Sequence, residues 1–322
     1  MDVSDLFHAP PRIDEDGLLH LAKTTEARPN QDQTTDAFSE KWDQYAKEDA
    51  NEQNKLVTFQ RRWFCTLYGF ESEAALKAHL ANVSTILDAG AGLGYKAAWL
   101  AGLAPHARVI AMDTSDAIRI ARDTYGAEHP NIAFVRGDIA TTGLTPGCID
   151  LTLCDQVIMH TEDPRETLKE LARVTAPAGE VLCYWYARKA LPRELVDDYF
   201  RANVARYSTE ELWELADGLT ELGRRLSDLD TRFTAPDIPL LGIKGGEYDI
   251  QRFIYWHFLK CFWSPELGEA TSRMTNFDWY SPSNAKRFSS EEVSADLTAA
   301  GLESVYFHEE EACYSGRFRP VA

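Results

Sequence analysis

Three glycines at alternate positions, Gly90, Gly92 and Gly94, follow Asp88 in the stretch Leu87–Tyr95. Three further aspartates, Asp113, Asp138 and Asp155, recur downstream where apolar runs end. Glycines so spaced let the chain turn sharply and let a ligand approach the backbone. A helix beginning at Lys96–Ala101 would add free N–H groups and the positive end of a dipole. The combination is a cradle for a nucleotide-like ligand. Its spacing is G-x-G-x-G, not the G-x-G-x-x-G of the dinucleotide-binding turn, whose third glycine seats the helix against the strand beneath a pyrophosphate. The carboxylate of Asp88 would repel a diphosphate and suits a ligand carrying an ammonium or sulfonium group. Asp113 follows the glycines by about 20 residues, the distance expected of a carboxylate that accepts hydrogen bonds from ribose hydroxyls.

The elements that must hold these residues are legible as apolar runs. Val83–Leu87 reads as a buried strand, Val109–Asp113 as a second, Ile132–Ile139 as a third, Cys148–Cys154 as a fourth and Glu180–Tyr186 as a fifth. Between the last two, Asp163-Pro164-Arg165-Glu166 opens a helix with an N-cap, a proline at its first position and an acid in its first turn. Pro177-Ala178-Gly179 closes that helix with a turn. Strands alternating with helices predict a parallel sheet covered on both faces. Such sheets bind ligands at the carboxyl ends of their strands, where all four aspartates fall.

The glycine motif, with the acids at 113 and 138 in register behind it, resembles motif I and the following motifs of class I S-adenosylmethionine-dependent methyltransferases. The resemblance covers residues ~80–187 and ~285–322 and implies an α/β Rossmann-like sheet of seven strands, mostly parallel with the last antiparallel. It implies S-adenosylmethionine as cofactor, bound by Asp88, Gly90, Ala91, Gly92, Asp113, Thr114, Asp138, Ile139, Asp155 and Gln156. In that family the acid after the third strand meets the adenine amino group and its neighbour packs on the ring, the places of Asp138 and Ile139. The resemblance also sets His160 near the transferred methyl as a general base. Tyr184 or Tyr186, one of the two, is expected to face the pocket, with Tyr186 nearer its mouth and the choice for a catalytic role. Pro177-Ala178-Gly179 departs mildly from the family's Pro-Gly-Gly turn. No residues are assigned to a metal, although some relatives place a metal ligand where Asp155 lies.

Outside this core, residues 1 to ~30 are polar and proline-rich without a clear period. Phe38, Trp42 and Tyr45 then share one helical face. They resemble the family's F-x-x-x-W lid segment, which makes Trp42 a further cofactor contact and residues 1–80 an extension with a helical lid. A second helix around Leu56–Tyr68 brings Arg61 and Arg62, read as solvated surface. The core spans 81–187. A helical, aromatic-rich insert occupies 188–284, expected over the carboxyl ends of the strands, where Trp279 and Tyr280 would contact the substrate. It includes a helix over Leu195–Tyr207, a capping box at Ser208–Glu211, and a stripe of Leu212, Leu215, Leu219, Leu222 and Leu226 read as packing. Residues 285–322 complete the core with a helix capped at Ser289–Glu292 and two closing strands, Glu303–His308 and Ala312–Phe318.

The net charge of −18 disfavours nucleic acid as a partner, because such binding depends on lysine and arginine neutralising phosphates. The six cysteines form no C-x-x-C pair and read as packed thiols of a cytoplasmic protein. No run is long and apolar enough to span a membrane, and the first residues lack signal-peptide character. The expected partner is a small-molecule acceptor with an O, N or C nucleophile, and the aromatic insert also offers a surface for a homodimer. Two other readings stand beside methyl transfer: cleavage or cyclisation of S-adenosylmethionine on the same fold, releasing methylthioadenosine, and a non-catalytic nucleotide-binding protein.

Overall fold

The computed structural model describes residues 1–22 and 28–321. The chain forms two compact units, one of Met1–Pro29, Gln60–Tyr186 and Phe288–Ala322, the other of Asn30–Phe59 and Ala187–Arg287. The segment expected as a lid thus groups with the insert, while residues 1–29 and 60–80 group with the sheet.

The first unit is built on one nine-stranded sheet. Its strands are β1 (Arg12–Ile13), β2 (Leu19–His20), β3 (Thr85–Ala89), β4 (Arg108–Asp113), β5 (Ile132–Arg136), β6 (Ile149–Cys154), β7 (Thr175–Tyr186), β10 (Leu302–Glu309) and β11 (Cys313–Pro320), in the order β1-β2-β5-β4-β3-β6-β7-β11-β10. The pairs from β2 through β5, β4, β3 and β6 to β7 are parallel, and β11 is antiparallel to both β7 and β10. β3 to β6 are almost wholly buried, with Ile86, Leu87, Val109, Ile110, Leu153 and Cys154 shut off from solvent. That is why they read as unbroken apolar runs and not as alternating ones.

The expected seven strands become nine because the N-terminal residues add an antiparallel pair to the edge beside β5. Asp14 and Gly17 make the turn, Gly17 at φ +82°, and β2 pairs in parallel with β5 through Leu19↔Val135 and His20↔Arg136. Strands of two residues are too short to display an alternation. The turn expected at Pro177–Gly179 is instead an irregularity inside β7. The register against β6 jumps from Ile149↔Thr175 to Leu151↔Glu180, and the residues between are extruded. The helices are α3 (Glu73–His79), α4 (Tyr95–Leu103), α5 (Ala117–Tyr125), α6 (Pro164–Val174) and α11 (Ser290–Ala299). Asp163 caps α6 through the N–H groups of Arg165 and Glu166, and Ser289 with Glu292 forms a capping box on α11, both as the residue types require.

The second unit holds α1 (Pro29–Tyr45, from Asn30 onward), the start of α2 (Ala50–Leu67), α7 (Leu191–Asn203), α8 (Thr209–Asp228), α9 (Ile250–His257) and α10 (Gly268–Tyr280). The capping box at Ser208 opens α8 as expected. Its buried face is Leu212, Ala216, Leu219, Thr220 and Gly223, and Leu222 of the leucine stripe is exposed. The reason is close approach: a Cβ on Gly223 would lie 2.5 Å from the Cys261 carbonyl oxygen, so this face, and not the bulkier one, meets the neighbouring chain. A small sheet of β8 (Arg232–Ala235) and β9 (Gly246–Asp249) closes the loop containing Pro236 and Pro239. Among the described residues no helix is long and apolar enough to cross a membrane.

Candidate functional site

In the first unit the turn from β3 to α4 has Gly90, Gly92 and Gly94 at φ +90°, +51° and +75°, values that other residues adopt only under strain. The N–H groups of Gly90 and Ala91 both donate to the carbonyl of Met112, at 2.8 and 3.0 Å. The N–H of Gly92 donates to Asp113 Oδ2 at 2.8 Å. Asp113 is the last residue of β4, so the glycine turn is tied to the end of the neighbouring strand. Gly90 has a second constraint: a Cβ there would lie 2.4 Å from Val157 Cγ1.

The aspartates gather at the carboxyl ends of the strands as expected: Asp88 next to last in β3, Asp113 ending β4, Asp155 immediately after β6, and Asp138 two residues past β5. Asp88 is 3 % exposed, and its Oδ2 has no hydrogen-bond partner. Burial lifts its carboxyl to about 7; the Lys96 ammonium opposes this, and the charges of Asp155 and Asp113 add to it. Asp155 accepts a hydrogen bond from the Tyr68 hydroxyl at 2.7 Å and pairs with Lys96. Burial, with the Asp155 carboxylate beside it, pushes the Tyr68 phenol well above its ordinary value. Gln156 follows at φ +63°, a non-glycine residue in the left-handed region, and its amide donates to Gln60 Oε1 at 2.9 Å and to Asp155 Oδ2 at 3.2 Å. Backbone strain of this kind collects at functional sites.

The sequence profile of the family described as "Methyltransferase domain" matches residues 87–183. That match begins within β3 and runs through every one of these aspartates into β7. Residues 87–183 thus carry a methyltransferase domain, in keeping with the resemblance to class I S-adenosylmethionine-dependent methyltransferases. The cofactor of that family is S-adenosylmethionine. A 37.1 kDa protein in transposon TN4556 of Streptomyces fradiae is 30 % identical over 158 residues, 47 % of this chain and 44 % of that protein. The chain therefore spans less than half the length of the curated relatives it matches. A SAM-dependent methyltransferase from Aquifex aeolicus is 15 % identical, with a TM-score of 0.44 over 86 % of this chain and 100 % of that one. The Burkholderia thailandensis 1,6-didemethyltoxoflavin-N1-methyltransferase is 12 % identical, with a TM-score of 0.45 over 94 % of each chain.

Within the methyltransferase domain the residues present fit a cofactor with a cationic centre. Two buried carboxylates, Asp88 and Asp155, face one ammonium, Lys96, and one carboxylate oxygen is left unmatched. Asp113 Oδ1 accepts from the N–H and hydroxyl of Ser115 at 2.8 and 2.6 Å. Oδ2, with only the Gly92 contact, keeps capacity for a further donor. Asp138 accepts from Ala140 N–H at 2.8 Å and forms an ion pair with Arg28 at 3.0 Å, a partner from the N-terminal extension that no motif pointed to. Ile139 is buried and Thr114 half-buried. Arg61 and Arg62 are exposed, as expected.

Lys96 is the residue that motif reading missed as a site group. A lysine in the first turn of a helix opposes the helix dipole, and this conflict was the available signal. Burial works against its ammonium, yet the Asp155 carboxylate holds it above its ordinary value.

His160 is 6 % exposed, and its ring meets Tyr186 edge-on at 5.5 Å. Tyr186 meets Tyr184 at 5.9 Å, and Tyr184 meets Trp63 at 5.8 Å. The expectation that only one of the two tyrosines could face a common space is corrected: alternation along a strand puts residues two apart on the same face, and their rings are in contact.

In the second unit, Trp42 on α1 lies under the Lys41 ammonium, 4.0 Å from its ring centre, and edge-on to Tyr45 at 6.3 Å. Lys41 pairs with Asp278 on α10 at 2.5 Å. Trp279 and Tyr280 are 3 % and 1 % exposed. The Tyr280 hydroxyl accepts from the Lys260 N–H at 3.1 Å, and its ring packs on Phe200 at 4.7 Å. The two residues expected at the substrate are thus buried within the second unit. Among the described residues no group of three or more His, Cys, Asp or Glu side chains is placed to hold a metal.

Proposed function

We propose that the protein transfers a methyl group from S-adenosylmethionine to a small-molecule acceptor. The observation that carries this reading is the glycine turn tied to Asp113 beside a buried carboxylate pair that one lysine leaves under-neutralised. When bound, S-adenosylmethionine supplies an electrophilic methyl on a sulfonium. Asp88 and Asp155 would hold the cationic part of the cofactor, Asp113 would accept from the ribose, and Asp138 with Ile139 would take the adenine. Gly90, Ala91, Gly92, Thr114 and Gln156 would line the backbone side. Methyl transfer is an in-line displacement, so alignment of the acceptor does most of the work. His160 is proposed to take the acceptor's proton, with Tyr186 orienting the imidazole through the edge contact between their rings.

The test is mass spectrometry of the purified protein incubated with S-adenosylmethionine alone and then with a mixture of small metabolites. S-adenosylhomocysteine formed only with an acceptor, whose mass rises by one methyl, is the expected result. Methylthioadenosine formed without an acceptor would replace methyl transfer by cofactor cleavage. Asp113→Ala should weaken S-adenosylmethionine binding by about tenfold or more, as the loss of charge-assisted hydrogen bonds does; unchanged affinity in calorimetry would remove the ribose assignment. His160→Ala should lower kcat by roughly 10²-fold while cofactor affinity stays constant, and an unaltered kcat would exclude it as the base.

A further inference from the structure

The second unit contains a buried group of cations that methyl transfer does not use. Arg193 and Asp197, one turn apart on α7, are both 0 % exposed. Asp197 takes hold of Arg193 at Nε alone, with its two oxygens at 3.2 and 3.1 Å. Nη1 of Arg193 donates to the Tyr255 carbonyl, and Nη2 is buried with no acceptor. A guanidinium normally presents Nε and one Nη together as a fork to two oxygens; here half the fork is unmatched.

Lys260, 5 % exposed, lies beside it. Its Nζ sits 4.3 Å from the centre of the Trp279 ring, 5.4 Å from Tyr255 and 5.8 Å from Phe262. The Arg193 guanidinium lies 4.9 and 5.3 Å from the same Trp279 and Tyr255 rings. Arg252 lies over Tyr255 and Phe262. The acids acting on Lys260 are Asp197, which holds Arg193, and Asp278, which is paired with Lys41. Aromatic faces offset part of the cost of a buried cation, but an excess of buried charge is retained only where something compensates it. Burial, helped by Arg193, lowers the Lys260 ammonium to about 7 against the pull of Asp278 and Asp197.

We infer that the second unit holds a recognition site for a small organic anion, a carboxylate on an aromatic or apolar body, gripped by Arg193 Nη2 and Lys260 Nζ and flanked by Tyr255, Phe262 and Trp279. Two donors from two cations match the two oxygens of one carboxylate. The surrounding rings favour a flat apolar body over a strongly hydrated inorganic ion. This site is independent of the methyl-transfer reading, since its groups lie on α7, α9, α10 and the segment between the last two.

The test uses the full-length protein and benzoate as probe, with benzyl alcohol and inorganic phosphate for comparison. Calorimetry should register binding of benzoate and a rise in Tm, no binding of benzyl alcohol, and weaker binding of phosphate. Lys260→Met should weaken benzoate by about tenfold or more and keep the circular dichroism of the natural protein. As a measurement on the unaltered chain, benzoate should protect Lys260 from reductive methylation, read by peptide mass spectrometry. Failure of benzoate to bind, equal binding by benzyl alcohol, tighter binding of phosphate, undiminished benzoate affinity of the variant or unprotected Lys260 would each overturn the assignment.

Discussion

The two units bury charge of opposite sign. In the first, Asp88 and Asp155 outnumber Lys96, and the unmatched atom is a carboxylate oxygen. In the second, Arg193 and Lys260 outnumber Asp197, and the unmatched atom is a guanidinium nitrogen. Burial brings Asp88 up and Lys260 down to about the same value, near 7. Each group is held away from its ordinary ionisation by desolvation, and each has one counter-charge fewer than it needs. The first arrangement suits a sulfonium or ammonium, the second an organic anion. The chain's net charge of −18 conveys neither: overall charge reports on the solvated surface, whereas recognition depends on a few desolvated groups.

The largest effect that would sharpen the contrast is at Lys96. Lys96→Met removes the ammonium facing two buried carboxylates and should destabilise the protein by about 3–5 kcal/mol at neutral pH, read by urea unfolding. A loss under 1 kcal/mol would mean that the carboxylates are otherwise compensated and that the first unit carries no negative excess.

A second, smaller pair of effects should run in mirror image with pH. Asp88 has a folded value raised to about 7 from 3.8, so between those values the folded state binds the extra proton. Its cost to stability grows as pH rises through that window and is complete above 7. Lys260 has a folded value lowered to about 7 from 10.5, so between those values the unfolded state binds the extra proton. Its cost is complete below 7 and fades as pH rises toward 10.5. Asp88→Asn should therefore stabilise the cofactor-free protein increasingly from pH 4 to 7 and evenly above. Lys260→Met should stabilise it most below 7 and progressively less from 7 to 10. Each gain should reach roughly 1–3 kcal/mol, the range for replacing a poorly compensated buried ion. Parallel slopes in thermal unfolding, rather than opposed ones, would break the comparison.

Much of the first unit was legible because its determinants are local. Glycines at alternate positions need positive φ wherever they fold, and buried parallel strands need unbroken apolar runs. Asp163-Pro164 and Ser289–Glu292 carry their capping chemistry within four residues. The aspartates at 88, 113, 138 and 155 were found for the same reason, each closing an apolar run of its own. The two N-terminal strands were not legible, since each is two residues long and β2, on which β1 pairs, joins the sheet only through β5, more than a hundred residues away. The shared face of Tyr184 and Tyr186 follows from strand geometry alone, which puts residues two apart on one side.

What the sequence determined by itself, then, is the order of strands and helices in the methyltransferase core, the conformation of its glycine turn and the placement of acids at strand ends, all set by neighbours in the chain. The tertiary structure alone decided which charges lose their water and which partners they meet. Lys96 joins Asp155 across 59 positions, Arg28 joins Asp138 across 110, and Lys260 comes to rest among rings from separate helices. Desolvation and Coulomb energy depend on distance and burial in space, and neither is written in the spacing of residues along the chain.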